Sequence, residues 1–281
     1  MRLFDLKTER KYQLIRGITD IIKENIEYFP RISKFSFLSI KKSNKNSDLG
    51  YLWLFIRPLM YVMMFYIAIA LGFKNSRNID GIEVPYLIWL ASGIFAWFFL
   101  STYAVGNATC FSKYKNYFKR DRIPVSVIPT IPIMTGLYIH IGVVIMLIIM
   151  CFFFKVKPDI HWIQLPFYTF FMALFAYVWS LLTGLITAIT VDFNNILHSI
   201  RPAFFWLSGI FFNSRTNSNQ SLFYFNPISF CVEGYRNTFC YHIWFWEEPQ
   251  RFGGFCVSML ILTTLAVLLY RRVRRSIPEF I

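Results

Sequence analysis

Chemistry needs reactive side chains within reach of one another, and in this chain the candidates are sparse. The four histidines, His140, His161, His198 and His242, are far apart in sequence and show no HExxH or comparable ligand spacing. An enzyme at a membrane face gathers nucleophiles, acid/base pairs or metal ligands in one place. Folding can bring separated residues together, so the spacing weighs against catalysis without removing it. No catalytic residue and no metal site is expected. Glu233 and Arg236 stand at i and i+3, within pairing reach on a helix. A structural ion pair is the simpler reading, and a place in the lining of an exit path is the other. Arg57 and Arg201 are isolated cations inside otherwise apolar stretches.

What these residues omit limits the energy source of any transport. Ion-driven transporters keep ionisable groups within their spans, yet Asp192 and Glu233 lie only at the edges of apolar runs. No GxxxxGK[ST] nucleotide loop occurs, and Leu207-Ser208-Gly209 matches an ATPase signature only by chance inside an apolar run. If the chain belongs to a pump, its motor is another polypeptide.

The elements that must position these residues are long and apolar. Stretches near 84 to 105, 123 to 154, 162 to 191, 202 to 214 and 252 to 270 contain no Asp, Glu, Lys or Arg, and the run from Trp53 to Phe73 carries only Arg57. About 20 apolar residues of helix cross the hydrocarbon layer. Five of the six runs reach that length unaided; the one at 202 to 214 reaches it only if extended back through Arg201 to Asn195. Backbone groups in lipid must be paired within a segment, which excludes open sheets, and the runs lack the alternation of a barrel strand. The expected class is an all-α polytopic membrane protein with six transmembrane helices.

The composition is 56% hydrophobic with a net charge of +14, and the placement of the charge sets orientation rather than suggesting nucleic acid. Residues 1 to 50 hold 11 Lys/Arg, 106 to 124 hold 5 and 271 to 281 hold 4, all on one side under six crossings. The positive-inside bias puts both termini in the cytoplasm. Residues 1 to 30 offer no signal-peptide core, so the first span is expected to serve as its own insertion signal. The five cysteines are scattered without a CxxC. Cys110 is placed in the cytoplasm, and Cys151 and Cys256 in spans. For Cys231 and Cys240, toward the outside, unpaired thiols are preferred over a disulfide.

Between the spans, residues 9 to 28 form an amphipathic pattern that Pro30 is expected to end, followed by a second mixed segment from Arg31 to Lys42. Either lies in the membrane interface or packs on a soluble partner. After the second span Phe111, Tyr114 and Phe118 share one helical face, with Lys113, Lys115, Lys119 and Arg120 on the others. That pattern fits a connector with interfacial anchors or a helix docking into a cytoplasmic protein. Pro124, Pro129 and Pro132 predict a kink at the start of the third span. Asn226-Pro227 reads as an N-cap with proline at the first helical position. With Leu222 to Phe225 it suggests half-helices dipping into the outer leaflet.

In these residues the chain resembles the membrane subunit of type-2 ABC exporters of lipid-linked polysaccharides, most closely the teichoic-acid translocation permeases. The resemblance is carried by Leu49-Gly50-Tyr51-Leu52-Trp53 with Arg57-Pro58-Leu59, by Ile79 to Tyr86 leading to Trp89-Leu90 and Gly93-Ile94, and by Ile123 to Thr130. Asp192-Phe193, Asn226-Pro227-Ile228 and Gly234-Tyr235-Arg236 follow in family order. The chain departs from the pattern at Arg57, where an Asn is usual, and near Ser208-Gly209, where a Ser-Pro is expected.

The resemblance implies a type V exporter fold: residues 1 to 48 as a cytoplasmic and interfacial N-terminal region, 49 to 270 as the six-helix domain and 271 to 281 as a basic tail. It also implies a reentrant hairpin at about 219 to 240, before the last span, and a homodimer seated on two ATPase subunits that bind ATP and Mg, with no cofactor in this chain. A coupling helix at about 111 to 121 would present Phe111, Tyr114, Lys115, Phe118 and Arg120 to the ATPase. The implied cargo is undecaprenyl-diphosphate-linked teichoic acid, crossing the bacterial cytoplasmic membrane. Arg57 and Arg201 would attract the diphosphate at entry, with snorkelling to lipid phosphate as the simpler alternative. Phe204, Phe205, Trp206, Tyr224, Glu233, Tyr235 and Arg236 would line the path or exit, although most aromatics are expected to be packing. Rival readings are an ABC-2 exporter of another lipid or drug, and a membrane enzyme of envelope polymer synthesis.

Overall fold

A computed structural model describes residues 2–43, 48–72, 84–116, 123–211, 220–274 and 277. Among the described residues the chain is helical, without a strand. Its α-helices are α1 (Arg2–Glu27), α2 (Phe29–Ser43), α3 (Trp53–Gly72), α4 (Tyr86–Tyr103), α5 (Cys110–Lys113) and α6 (Thr130–Phe153). They continue with α7 (Leu165–Ile189), α8 (Asp192–Trp206), α9 (Gln220–Tyr224), α10 (Pro227–Arg236) and α11 (Pro249–Val273). Among the described residues five stretches are long and apolar enough to cross a membrane: Gly50–Ile69, Tyr86–Asn107, Val125–Phe153, Ile160–Ile189 and Pro249–Val273.

The remaining expected crossing takes a different form. α8 has 15 residues, about 22 Å at 1.5 Å per residue and short of a hydrocarbon layer of about 30 Å. Its helix ends at a turn in which Gly209 adopts φ +80°, a conformation that favours glycine. Residues 212 to 219 lie outside the described residues.

The prolines act at helix starts, which corrects two expectations. Pro129 is the N-cap of α6 and Pro132 lies in its first turn, after a 3-10 turn at Val125–Val127. Proline's missing N–H costs little in a first turn, so the chain begins a helix there instead of kinking one. In the same way the first amphipathic helix breaks at Tyr28, and Pro30 belongs to the opening turn of α2.

Both α1 and α2 dock on the bundle by one face. A Cβ on Gly17 would lie 2.6 Å from Val267 Cγ1, so glycine permits the close approach of α1 to α11. The Tyr270 hydroxyl donates to Glu24 Oε2 at 2.9 Å, and Ser126 donates to the same oxygen. Asn25 reaches the Tyr177 hydroxyl and accepts from Thr130. Ser36 donates to the Ile131 carbonyl at 2.8 Å, fastening α2 to α6. Ile15, Ile22 and Ile26 of α1, with Phe37 and Leu38 of α2, remain exposed on the far side, where an interfacial helix places its apolar face.

Candidate functional site

The buried charges gather around α10. Asn226 caps this helix, its side chain accepting from Ile228 N at 3.0 Å, and Pro227 occupies the first position. Both sequence signals therefore describe the structure. Every residue from Ile228 to Arg236 is buried because α10 packs between α4 and α7. Arg236 Nη1 donates to Glu233 Oε1 and to the Gly209 carbonyl, each at 2.8 Å, and Nη2 donates to the Ile210 carbonyl at 2.5 Å. The guanidinium lies 3.4 Å from the centroid of the Trp89 ring. Trp89 in turn donates its indole N–H to the Tyr241 hydroxyl at 2.8 Å and stacks on Tyr86.

One turn along α4, a Cβ on Gly93 would come within 3.0 Å of Arg236 Nη2, so this glycine makes room for the guanidinium. A single cation thus ties α10 to α4 and to the turn that follows α8. Breaking such a buried pair by removing one partner costs about 3 to 5 kcal/mol.

Tyr235 points elsewhere. Its hydroxyl meets His140 Nε2 of α6 at 2.5 Å and Thr169 Oγ1 of α7 at 2.9 Å. An apolar groove of about 430 Å³ between α6 and α7, walled by Leu137, Ile141, Val144 and Phe170, ends on His140 and Thr169. Glu233, Tyr235 and Arg236 are each fully buried. In the single chain they belong to the packed core.

The aromatic candidates lie on another face. Phe205 of α8 packs on Phe65 of α3 and Trp97 of α4, with ring centroids 5.4 Å apart in both cases, and on Phe211 at 5.1 Å. Trp206 contacts Phe211 and is exposed, while Phe204 turns its edge to Trp179. Arg57 is exposed on α3 and Arg201 is half-buried on α8. Tyr224 belongs to α9, where the Arg251 guanidinium lies 5.5 Å from its ring and Gly254 admits its carbonyl against α11.

The aromatic anchors of the expected coupling helix face inward. Phe111 and Tyr114 are buried, and Phe111 packs beside Gly184 of α7, where a Cβ would come within 2.8 Å of its ring. α5 spans four residues and Lys115 is exposed. Phe118 and Arg120 lie outside the described residues. The heptad-like spacing of Phe111, Tyr114 and Phe118 marks an apolar face but does not say whether this chain or another covers it.

Folding also joins residues that the sequence left apart. Asp159 Oδ2 contacts His161 Nδ1 and lies 2.8 Å from His242 Nδ1. The hydrogen bond from His161 holds the Asp159 carboxyl below its ordinary pKa, against a smaller opposing effect of burial. Cys231 and Cys240 are free, as preferred from the sequence, and both are buried; Cys110 is also buried, not solvent-facing.

Sequence reading gave no place in this buried cluster to Trp89, Gly93, His140 and Thr169, or to the carbonyls of Gly209 and Ile210. Trp89 and Gly93 at i and i+4 put a gap beside a large ring on one face of α4. That spacing could have marked a pocket, but the sequence did not name its occupant.

The fold and these sites define a polytopic helical membrane protein. No protein-family model matches the chain. The O-antigen export system permease protein RfbA of Myxococcus xanthus is 21% identical over 233 residues, covering 79% of this chain and 85% of that protein. A protein of the same description from Klebsiella pneumoniae is 24% identical over 144 residues, covering 50% of this chain and 53% of its own length. These similarities support the family expected from the motifs, the ABC-2 type polysaccharide export permeases.

Proposed function

We propose that this chain is the membrane subunit of an ATP-driven exporter that carries a lipid-linked polysaccharide across the bacterial cytoplasmic membrane. The observation that carries the proposal is that the five candidate spans hold no Asp or Glu. An ion-coupled carrier keeps such groups in its spans, and the buried Glu233 is held by Arg236, which favours an ATPase docked on the membrane domain as the energy source. The O-antigen export permeases to which the chain is similar support the polysaccharide class.

On this reading α8 and the residues after it supply a sixth crossing, and α9 with α10 forms a reentrant hairpin. Both termini lie in the cytoplasm, where the Lys/Arg excess places them. Residues 1 to 48 pack at the interface, 49 to 270 form the transmembrane domain and 271 to 281 form a basic tail. Two copies meet through α3 and α8, whose exposed apolar and aromatic side chains otherwise face lipid. Lys115 and the segment through Phe118 and Arg120 contact the ATPase, while Phe111 and Tyr114 anchor that segment to the bundle.

A polyanionic polymer cannot enter hydrocarbon, so it needs a polar path while its lipid remains in the bilayer. Arg57 and Arg201 attract a diphosphate at entry. Phe205 and Trp206 offer faces to sugar rings, and release passes beside Tyr224 once the Glu233, Tyr235 and Arg236 core opens. The stretches Ile79 to Gly93 and Pro124 to Thr130 favour undecaprenyl-diphosphate-linked teichoic acid as cargo. O-antigen is the second reading, favoured by the relatives named above.

The test is lipid-linked polymer flipping in proteoliposomes that contain this chain and its ATPase, with teichoic-acid and O-antigen precursors compared. ATP-dependent movement of one precursor is expected. Movement driven by an ion gradient without ATP would overturn the proposal.

A further inference from the structure

We propose that Asp159, His161 and His242 form a binding site for one divalent transition-metal ion of the zinc class. Asp159 and His161 belong to the connection between α6 and α7, and His242 to the segment between α10 and α11. Their three donor atoms, Asp159 Oδ2, His161 Nδ1 and His242 Nδ1, all lie within 4.8 Å of one another. This site is independent of the transport reading.

Each ligand is oriented by contacts of its own. The other carboxylate oxygen of Asp159, Oδ1, accepts from the Ile160 backbone N–H at 2.7 Å, which turns Oδ2 toward the two rings. The His161 ring packs on Trp244 with centroids 4.7 Å apart, and Trp244 stacks on Trp246 at 4.6 Å. His242 closes a π-helical turn (Asn237–Tyr241) in the left-handed conformation, φ +53°, which a non-glycine residue adopts at a cost. The next residue is pinned back to the first loop, because Gln164 Nε2 donates to the Ile243 carbonyl at 2.8 Å. Metal ligands are generally held in orientation by surrounding contacts, supplied here by the ring stack and the backbone bonds.

The donor set selects the class of ion. Two imidazole nitrogens and one carboxylate oxygen suit zinc, with bonds of about 2.0 to 2.2 Å, whereas magnesium and calcium prefer oxygen alone. Tetrahedral bonds of that length separate donors by about 3.3 Å. Here the separations run from direct contact up to 4.8 Å, so displacements of about 1 Å bring the donors into place. Asp159 and His242 are 35% and 37% exposed at their side chains, and His161 is 16% exposed. An ion can therefore enter, and a water can complete its coordination.

A bare hydrogen-bonded trio, with both rings donating to Oδ2, is the competing account. The experiment uses the full chain purified in detergent through a histidine-free tag, stripped with chelator, incubated with zinc and desalted. About one retained zinc per chain is expected, with affinity falling tenfold or more in His161→Ala, His242→Ala and Asp159→Asn. His198→Ala, on the exposed surface of α8, should bind as the parent does. Asp159→Asn separates the accounts, since an amide oxygen can still accept hydrogen bonds but is a poor zinc ligand. Zinc should also raise the melting temperature of the parent and of His198→Ala while leaving the His161→Ala/His242→Ala double variant unchanged. The proposal is overturned if the parent retains no more zinc than this double variant, or if Asp159→Asn binds zinc as tightly as the parent.

Discussion

α3 and α4 look alike as membrane spans, yet only 11% of the apolar stretch that includes α3 is buried inside the structure and 83% of the stretch that includes α4 is. Apolarity takes both helices into the bilayer but does not decide which of them other helices surround. Lipid is as apolar as leucine, so helices associate in membranes through close packing and polar contacts. α4 has the means for both: Ala91, Ser92, Gly93 and Ala96 let neighbours approach, and Trp89 receives the Arg236 guanidinium. α3 presents Met60, Tyr61, Met63, Met64 and Ile67 outward, and its small residues fall only near its end. One helix is an interior part, and the other is a surface that meets lipid or a second copy.

The contrast breaks most visibly at Arg236. Replacing it with alanine removes the cation that pairs with Glu233 and donates to the carbonyls of Gly209 and Ile210, and should cost about 3 to 5 kcal/mol. Thermal unfolding in detergent measures the loss; a drop below about 1 kcal/mol would mean that packing alone holds α10 against α4. Gly93→Ala should cost less, about 1 to 3 kcal/mol, because the added Cβ meets the end of a side chain at 3.0 Å and the guanidinium can shift slightly. Within this pair of variants the order matters more than the values. If Gly93→Ala were the worse, the close approach of the helices would outweigh the ion pair.

The class of protein was legible because continuous charge-free runs have few other homes, and the cap of α10 was legible because Asn-Pro satisfies helix-start chemistry locally. Helix starts at Pro30 and Pro132 were misjudged because proline's cost depends on its position within the helix. That position is set by where the preceding segment docks. The fate of Phe111 and Tyr114 was hidden for a related reason: an amphipathic face records that something covers it, but not what. Glu233 and Arg236 were paired correctly from their spacing, whereas the carbonyls that complete the arginine's bonding lie 26 and 27 residues away. His161 and His242 met only through the packing of two loops, which no local pattern encodes.

The smallest effect should come from α3, and it carries the sharpest comparison. Met64 is 54% exposed, so Met64→Ala in the isolated chain removes little packing and should change stability by no more than about 0.5 kcal/mol. If two copies meet through this face, the same substitution should weaken the dimer while leaving the monomer's melting unchanged. Met64→Cys should then cross-link copies under mild oxidation in native membranes. A cysteine at Ile145, an exposed position on α6, serves as the lipid-facing reference. Equal cross-linking at both positions would mean random collision and would leave α3 facing lipid. Cross-linking at Met64→Cys alone would make α3 buried after all, by a partner that the single chain does not contain.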